Sequence, residues 1–145
     1  MKTKKLGEEG EQTYALVFEA GDDVVPCILE FARNGRLTAA HFSGIGGFSD
    51  AVLGYFDVAS KQYRPIAIHE QVEVVSMIGD VAIADDEPAL HAHVVVGLAD
   101  GSVRAGHLLE AHVRPTLEIV LMQSPSSLRR RMDRATGLPL LDLEL

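Results

Sequence analysis

Three histidines on two neighbouring segments are the residues of this sequence best suited to chemistry. His91 and His93 stand in the run Leu-His-Ala-His-Val-Val-Val, and His107 follows in the next apolar run. Side chains alternate between the two faces of a β-strand, so a strand here points His91 and His93 the same way. Three imidazoles on one patch can hold a divalent metal ion, and zinc accepts nitrogen ligands of this kind. The alternatives are a set of hydrogen-bonded structural histidines and a pH-sensitive cluster.

The turn between the two segments decides whether His107 joins the other two histidines. A three-residue loop over 99–101, with glycine in the left-handed position, places His107 opposite His93 with Cβ atoms about 4.5–5.5 Å apart. A two-residue loop over 100–101 shifts the register by one residue and turns His107 to the other face of the sheet. Gly106 would allow a bulge or the close approach of a ligand. The metal hypothesis therefore depends on the three-residue loop.

The remaining candidates for chemistry carry weaker patterns. Glu118 stands in a run typical of a strand. It is a candidate to hold a metal-binding histidine in orientation or to act as a general base, although glutamate on an exposed sheet face is more common. The glycine-rich segment 44–47 lacks the lysine and the following helix of a phosphate loop, and it predicts a tight turn. We expect surface or core positions for the other histidines, namely His41, His69 and His112.

The surrounding pattern predicts an α+β domain with a mainly antiparallel sheet of about seven strands packed with one principal N-terminal helix. After a first strand at 14–18, Asp22-Asp23 offers a helix N-cap. Apolar residues then repeat every three to four positions as far as Asn34-Gly35, which indicates a left-handed C-terminal cap. Residues 1–145 are expected to form a single domain, with 124–145 as a tail that packs on the domain or on a neighbouring subunit.

The composition describes an acidic chain with one short basic cluster. The formal net charge is −8 and the pI is about 5.1. Binding of nucleic acid over the whole surface would need far more lysine and arginine, and only Arg129 to Arg131 and Arg134 lie together. No apolar run approaches the roughly 20 residues of a membrane-spanning helix. The single cysteine, Cys27, suits a reducing compartment, so we expect a cytoplasmic protein.

Five segments, taken together and in order, are specific enough to indicate a protein family, although no single segment is. They are SGIGGFSDAVLGYFD (43–57), VEVVSMIG (72–79), LHAH (90–93), GHLLE (106–110) and TLEIV (116–120). From about Tyr14 to Leu140 the chain resembles the plants and prokaryotes conserved (PPC) domain, also called the DUF296 family. The resemblance implies a homotrimeric α+β domain. Related plant domains follow AT-hook segments in nuclear DNA-binding proteins, and stand-alone members are often labelled DNA-binding by analogy.

The fold of this family is similar to that of acetolactate decarboxylase, whose zinc is held by a His-x-His pair and a later histidine. His91, His93 and His107 match that arrangement in type and order, which implies a metal site at these residues. The first hypothesis is a homotrimeric metal-binding domain that serves as a ligand-binding or regulatory module. The alternatives are a DNA-associated regulator and a metalloenzyme that acts on a small acid or carbonyl compound. Direct DNA binding is disfavoured by the acidic charge and by the lack of an Arg-Gly-Arg-Pro core.

Overall fold

The computed structural model describes residues 1–5 and 12–144 and shows nine strands and one helix in them. The elements are β1 (Lys2–Lys5), β2 (Thr13–Glu19), α1 (Val24–Asn34), β3 (Ala39–Asp57), β4 (Gln62–Ile68), β5 (Val72–Ala84), β6 (Glu87–Gly97), β7 (Val103–Gln123), β8 (Arg129–Met132) and β9 (Pro139–Asp142). The α+β class and the mainly antiparallel sheet are confirmed. The three strands that the sequence pattern does not predict are β1, β8 and β9, each of four residues, and β1 and β8 are highly charged and lack an alternating apolar pattern. Within the described residues, no helix is long and apolar enough to cross a membrane.

The strands form one sheet in which four strands close into a ring. β3 pairs antiparallel with both β5 and β7, and β6 pairs antiparallel with the same two strands. β2 and β1 extend the sheet beyond β7, and β4 pairs with the second half of β3. β8 joins β5 in a parallel pairing, and β9 completes a hairpin with β8. Alternate side chains therefore face either the core or the outer surface, and register decides which.

The core is almost entirely apolar. Helix α1 buries Val24, Ile28 and Ala32, which lie one helical turn apart, and packs against β6 and β7. Phe18 and Phe48 are among the largest side chains that are fully buried. No polar or charged residue is fully buried in the part of the chain that the structure describes. The polar side chains that could bind a ligand or react are consequently exposed or partly buried rather than enclosed in the core.

Helix α1 begins where the sequence predicts, but the left-handed residue that follows it lies one position later than predicted. Asp23 is the N-cap, although its side chain makes no capping hydrogen bond. Gly35 has right-handed backbone angles, with φ −81°, so the predicted left-handed cap at this glycine is wrong. Arg36 takes the left-handed conformation instead, with φ 50°, and Leu37 N–H donates to the Ala32 carbonyl at 2.9 Å. The helix therefore ends in a Schellman-type arrangement that uses an arginine.

The tight turn predicted for residues 44–47 is also wrong. β3 continues through this segment, and its register against β5 shifts between Gly44 and Gly46. A Cβ atom at Gly46 would lie 2.3 Å from the Thr116 carbonyl oxygen, and one at Gly47 would lie 2.3 Å from the Arg114 carbonyl oxygen. These glycines serve close packing of β3 on β7 rather than chain reversal.

The segment after β7 returns to the sheet of its own chain. Ile83 N–H donates to the Leu128 carbonyl at 2.9 Å, where β8 meets β5. Lys61 Nζ donates to the Arg134 carbonyl at 2.8 Å, which ties the β8–β9 hairpin to the turn before β4. The hairpin therefore lies beside the strands that carry the histidines.

Candidate metal centre

The β6–β7 hairpin has the three-residue loop that brings His107 to His93. Leu98 N–H donates to the Ser102 carbonyl at 2.8 Å, which leaves residues 99–101 as the loop. Gly101 has φ 82°, the left-handed conformation that the loop requires. His93 and His107 are direct partners in the pairing of β6 with β7. The predicted register is confirmed.

The three histidines form one compact cluster on the outer surface. One nitrogen from each of His91, His93 and His107 lies within 4.8 Å of the others. The ring centroids are 5.1 Å apart for His91 and His93, 5.3 Å for His91 and His107, and 5.4 Å for His93 and His107. His93 is exposed, whereas His91 and His107 are partly buried. The cluster is thus open to solvent on one side and supported by protein on the other.

Burial keeps two of the imidazoles neutral. Desolvation lowers the pKa of His107 to about 4, and the charges of His91, His93 and Arg130 act in the same direction. The pKa of His91 is also lowered, chiefly by burial and then by Arg130, although Asp80 partly opposes this shift. A neutral imidazole offers a nitrogen lone pair, which is the form that a metal ion binds. At neutral pH these two side chains are ready to act as ligands.

The donor atoms fit a metal ion of zinc's size and preference. His107 Nδ1 is buried and has no hydrogen-bond partner among the described residues, which is an unusual state for a buried ring nitrogen. Tetrahedral zinc with bonds of about 2.0–2.1 Å holds its nitrogens roughly 3.3–3.4 Å apart. The nitrogens lie within 4.8 Å of one another, so rotation of the rings would have to bring them closer to hold the ion. Three imidazole nitrogens from one chain therefore suit a zinc-type cation.

Asp80 supports His91 from the neighbouring strand. The two residues are partners in the pairing of β5 with β6, and Asp80 Oδ2 lies 3.6 Å from His91 Nδ1. A carboxylate facing one ring nitrogen holds the imidazole in orientation and leaves the other nitrogen for an ion. Arg130 Nη2 donates to Asp80 Oδ1 at 2.6 Å, so the carboxylate is itself fixed in place. His41 is the partner of Asp80 on β3, which puts it in the same cross-strand row.

Tyr63 supports His107 by stacking. The two rings have centroids 4.8 Å apart and an interplanar angle of 28°, and Phe56 packs edge-on against Tyr63 at 5.1 Å. Gly54 is the partner of His107 on β3, and a Cβ atom there would lie 2.6 Å from Tyr63 Cδ1. The absence of a side chain at Gly54 therefore makes room for the tyrosine ring.

Cavities that differ in volume and in lining residues lie next to the cluster. One, of about 450 Å³, is lined by all three histidines together with Tyr63 and the first part of β7. A second, of about 220 Å³, lies between His91, His107 and the C-terminal hairpin. A third, of about 540 Å³, is bordered by His91 and His93 and by apolar residues of β5 and β7. A small molecule can therefore approach the histidines from several sides.

Glu118, His69 and His112 lie away from the cluster, whereas His41 borders the cavity of about 540 Å³ together with His91 and His93. Glu118 stands between Val17 and Ile45 on the outer surface and lines none of the cavities at the histidines described above. His112 Nδ1 lies 2.7 Å from Asp50 Oδ1, and this pairing raises the pKa of His112. His69 is exposed just after β4. The structure brings together His91, His93 and His107 and leaves Glu118 apart.

Sequence reasoning missed Asp80, Tyr63 and Arg130. Their positions at the site follow from pairings between distant strands, which local patterns do not reveal. Arg130 belongs to the basic cluster, where each of three consecutive arginines faces a carboxylate. The ion pairs are Arg129–Asp86 (3.2 Å), Arg130–Asp80 (2.6 Å) and Arg131–Asp142 (2.8 Å). This cluster is therefore largely neutralised within the chain.

One family model matches most of the sequence. Residues 6–125 match the Plants and Prokaryotes Conserved (PCC) domain, which is the family that the sequence motifs indicate. The match ends before β8, so the C-terminal hairpin lies outside it. A comparison with curated proteins gave no match.

Solved structures with the same fold come from both bacteria and archaea. A putative DNA-binding protein from Bacteroides thetaiotaomicron has a TM-score of 0.92 at 26% identity, covering 99% of this chain and 98% of its own. A plant- and prokaryote-conserved protein from Pyrococcus horikoshii has a TM-score of 0.85 at 32% identity, covering 90% of each chain. A metal-containing protein from Archaeoglobus fulgidus has a TM-score of 0.84 at 36% identity, covering 97% of this chain and 99% of its own.

Proposed function

The chain belongs to the Plants and Prokaryotes Conserved domain family, and we propose that it is a metal-binding domain whose ligands are His91, His93 and His107. The observation that carries this proposal is the convergence of three imidazole nitrogens within 4.8 Å of one another. The unpartnered Nδ1 of His107 and the neutral state of the two partly buried rings support it. The description of the relative from Archaeoglobus fulgidus as metal-containing points the same way.

Zinc is a divalent cation that suits these ligands. Neutral imidazoles bind zinc well, whereas magnesium and calcium prefer oxygen ligands. A zinc ion supplies Lewis acidity, which polarises an oxygen atom of a ligand. Asp80 orients His91 through its carboxylate, and Tyr63 holds the ring of His107 by stacking. We propose that a small molecule binds at the ion and that the domain serves as a ligand-binding or regulatory module.

Metal analysis of the purified protein tests the site. The protein is prepared without a polyhistidine tag, dialysed against a series of free zinc concentrations and measured by mass spectrometry for zinc per chain, which gives the zinc affinity. We expect the His91→Ala/His93→Ala variant to bind zinc at least about 10-fold more weakly than wild type, because two of three ligands are lost. The His69→Ala/His112→Ala variant removes the same number of histidines outside the cluster and is expected to match wild type. Equal zinc affinity in the wild type and the His91→Ala/His93→Ala variant would end the proposal.

A DNA-associated role is the first alternative. The relative from Bacteroides thetaiotaomicron is described as a putative DNA-binding protein, and Arg129 to Arg131 and Arg134 form the basic cluster here. DNA phosphates would have to compete with the carboxylates that already pair with three of these arginines. Titration with duplex DNA at low and high salt tests this role. Absence of binding at low salt, where phosphate contacts are strongest, removes it.

A metalloenzyme that acts on a small acid or carbonyl compound is the second alternative. The site offers three histidine ligands, and zinc sites with three protein ligands leave a coordination position open for a substrate. Fold alone does not define a reaction, so turnover of a candidate substrate is the required evidence. A fourth protein ligand on the ion in a metal-bound structure would argue against it.

We further propose that the domain forms a homotrimer. Exposed apolar side chains on four adjacent strands share one outer surface, here called the apolar face, in which Glu118 lies between Val17 and Ile45. Its members are Val17, Ile45, Ile78 and Val120, each between 37% and 61% exposed. A group of exposed apolar side chains on one sheet surface indicates an interaction site, and we propose that it contacts the neighbouring subunits.

The single cysteine supports a cytoplasmic location. Cys27 is a free thiol in the structure, and a chain with one cysteine has no intrachain disulfide. Burial raises the pKa of this thiol, which favours its unreactive protonated form. A protein without disulfides is typical of a reducing compartment.

A further inference from the structure

The C-terminal hairpin places a buried arginine beside the histidine cluster. Arg130 exposes only 7% of its side chain. Its Nη2 donates to Asp80 Oδ1 at 2.6 Å, and its Nη1 donates to the Pro139 carbonyl at 2.9 Å. Its Nε is buried and has no hydrogen-bond partner among the described residues. A buried guanidinium held by two contacts, with a donor left over, is an uncommon arrangement for a purely structural residue.

The cavity between this arginine and the histidines has the size of a small organic molecule. Its volume of about 220 Å³ is below the roughly 300–1,000 Å³ of pockets for drug-sized ligands. Its polar wall consists of Tyr63, His91, His107 and Arg130. Its apolar wall consists of Ala89 and Leu90 from β6 and of Leu138, Pro139 and Leu140 from the C-terminal hairpin. None of these lining residues is a carboxylate.

A bound divalent metal ion would give this cavity an excess of positive charge. Imidazoles that bind an ion are neutral, and the charge of Arg130 is balanced by Asp80. A divalent cation therefore leaves two uncompensated positive charges at the edge of a partly buried cavity. The chain as a whole carries a net charge of −8, so this excess positive charge would be a local feature of the site. An anionic ligand offsets this charge where acidic side chains do not.

We propose that this cavity binds a short-chain carboxylic acid. Its carboxylate lies between the metal ion and Arg130, and its hydrocarbon part contacts the apolar wall that includes Leu138 and Leu140. The donor that Arg130 offers to the carboxylate is its Nε–H, because its two Nη groups already donate to Asp80 and Pro139. Inorganic phosphate has the charge but lacks an apolar part, so the wall contributed by the hairpin favours the carboxylate. The inference rests on the proposed metal site, because the ion supplies the positive charge that selects an anion.

Calorimetric titration of zinc-loaded protein tests this ligand class. The probes are isovalerate, its neutral analogue isovaleramide, acetate and inorganic phosphate. We expect isovalerate to bind at least about 10-fold more tightly than isovaleramide, which has nearly the same shape without the charge. Acetate is expected to bind more weakly than isovalerate because it lacks the branched hydrocarbon. Equal affinity for the acid and the amide, or tighter binding of phosphate, would overturn the proposal.

Variants of the hairpin separate this inference from the metal site. Arg130→Gln is expected to weaken isovalerate binding at least about 10-fold while zinc affinity changes much less. Arg129→Gln is the matched control, since this neighbouring arginine pairs with Asp86 and does not line the cavity. Ala89→Leu fills the cavity without altering a charged group, and it provides the same readout if Arg130→Gln fails to fold.

The two proposals fail in different ways. Zinc binding at the histidines without isovalerate binding would contradict the ligand class and leave the metal site in place. Absence of zinc from correctly folded wild-type protein would contradict the metal site and, with it, this inference. Isovalerate binding that is unchanged in both Arg130→Gln and Ala89→Leu would show that the acid contacts the metal from another side and would overturn the assignment to this cavity.

Discussion

Gly54 controls how closely the Tyr63 ring approaches His107. A Cβ atom at this position would lie 2.6 Å from Tyr63 Cδ1. Gly54→Ala is therefore expected to displace the tyrosine ring and to lower the free energy of unfolding by about 1–3 kcal/mol through overpacking. Zinc affinity is expected to fall as well, because His107 loses the ring that fixes its orientation. Urea denaturation and zinc titration measure the two effects separately.

Gly97→Ala is the matched control for this substitution. A Cβ atom at Gly97 would lie 3.4 Å from Val75 Cγ2, which is ordinary contact. This variant is expected to keep the stability and zinc affinity of the wild type. If Gly54→Ala binds zinc as tightly as Gly97→Ala does, Tyr63 has no positioning role at His107.

At the scale of single residues, the sequence predicts the histidines but not the groups that support them. The spacing of His91 and His93 fixes a shared face because strand side chains alternate. Asp80 and Tyr63 reach the same place through pairings with distant strands, and their own sequence neighbourhoods carry no sign of it. Arg130 looks like a member of a solvated basic run, yet its side chain is buried. Tertiary pairing supplies this information, and local spacing does not.

At the scale of elements, the loop of the β6–β7 hairpin determines whether the cluster exists. Gly101 has φ 82°, a conformation that costs residues with a Cβ atom about 1–2 kcal/mol and β-branched residues more. Gly101→Val is expected to lower stability by at least about this amount. It is also expected to weaken zinc binding, because a loop of different length would turn His107 to the other face. Thermal denaturation and zinc titration measure both changes.

Gly101→Asn separates backbone conformation from the loss of glycine itself. Asparagine adopts the left-handed conformation more readily than other residues with a Cβ atom, so this variant is expected to remain close to wild type. The decisive comparison is zinc affinity in the two variants. Equal affinities, with a difference only in stability, would mean that the loop does not control the register of His107.

The elements that the sequence predicts correctly are those with strong local signals. Helix α1 has a regular apolar repeat, and the β6–β7 hairpin has a glycine at the position that its loop requires. The predicted boundaries of β3 are wrong because the sequence pattern assigns Gly46 and Gly47 to a turn. In the structure these glycines allow close packing of β3 on β7. A glycine has the same appearance in sequence for either purpose, so only the three-dimensional neighbours decide.

At the scale of the whole molecule, the apolar face and the C-terminal hairpin border the histidines from opposite sides. The cavity of about 540 Å³ is lined by Ile78 and Val120 of the apolar face and also by His91 and His93. The hairpin borders the smaller cavity next to His91 and His107. A second copy seated on the apolar face would therefore cover one side of the metal centre and leave the other side to the hairpin.

A charge placed in the apolar face tests the proposed trimer. Val120→Lys is expected to produce monomers in sedimentation velocity experiments, because association would bury an unpaired ammonium group. Val103→Lys is the control, since Val103 is 57% exposed near the hairpin loop and lies outside the apolar face. A monomeric wild type would contradict the trimer, and a trimeric Val120→Lys variant would contradict this choice of surface. All three proposed ligands come from one chain, so the monomeric variant is expected to retain its zinc.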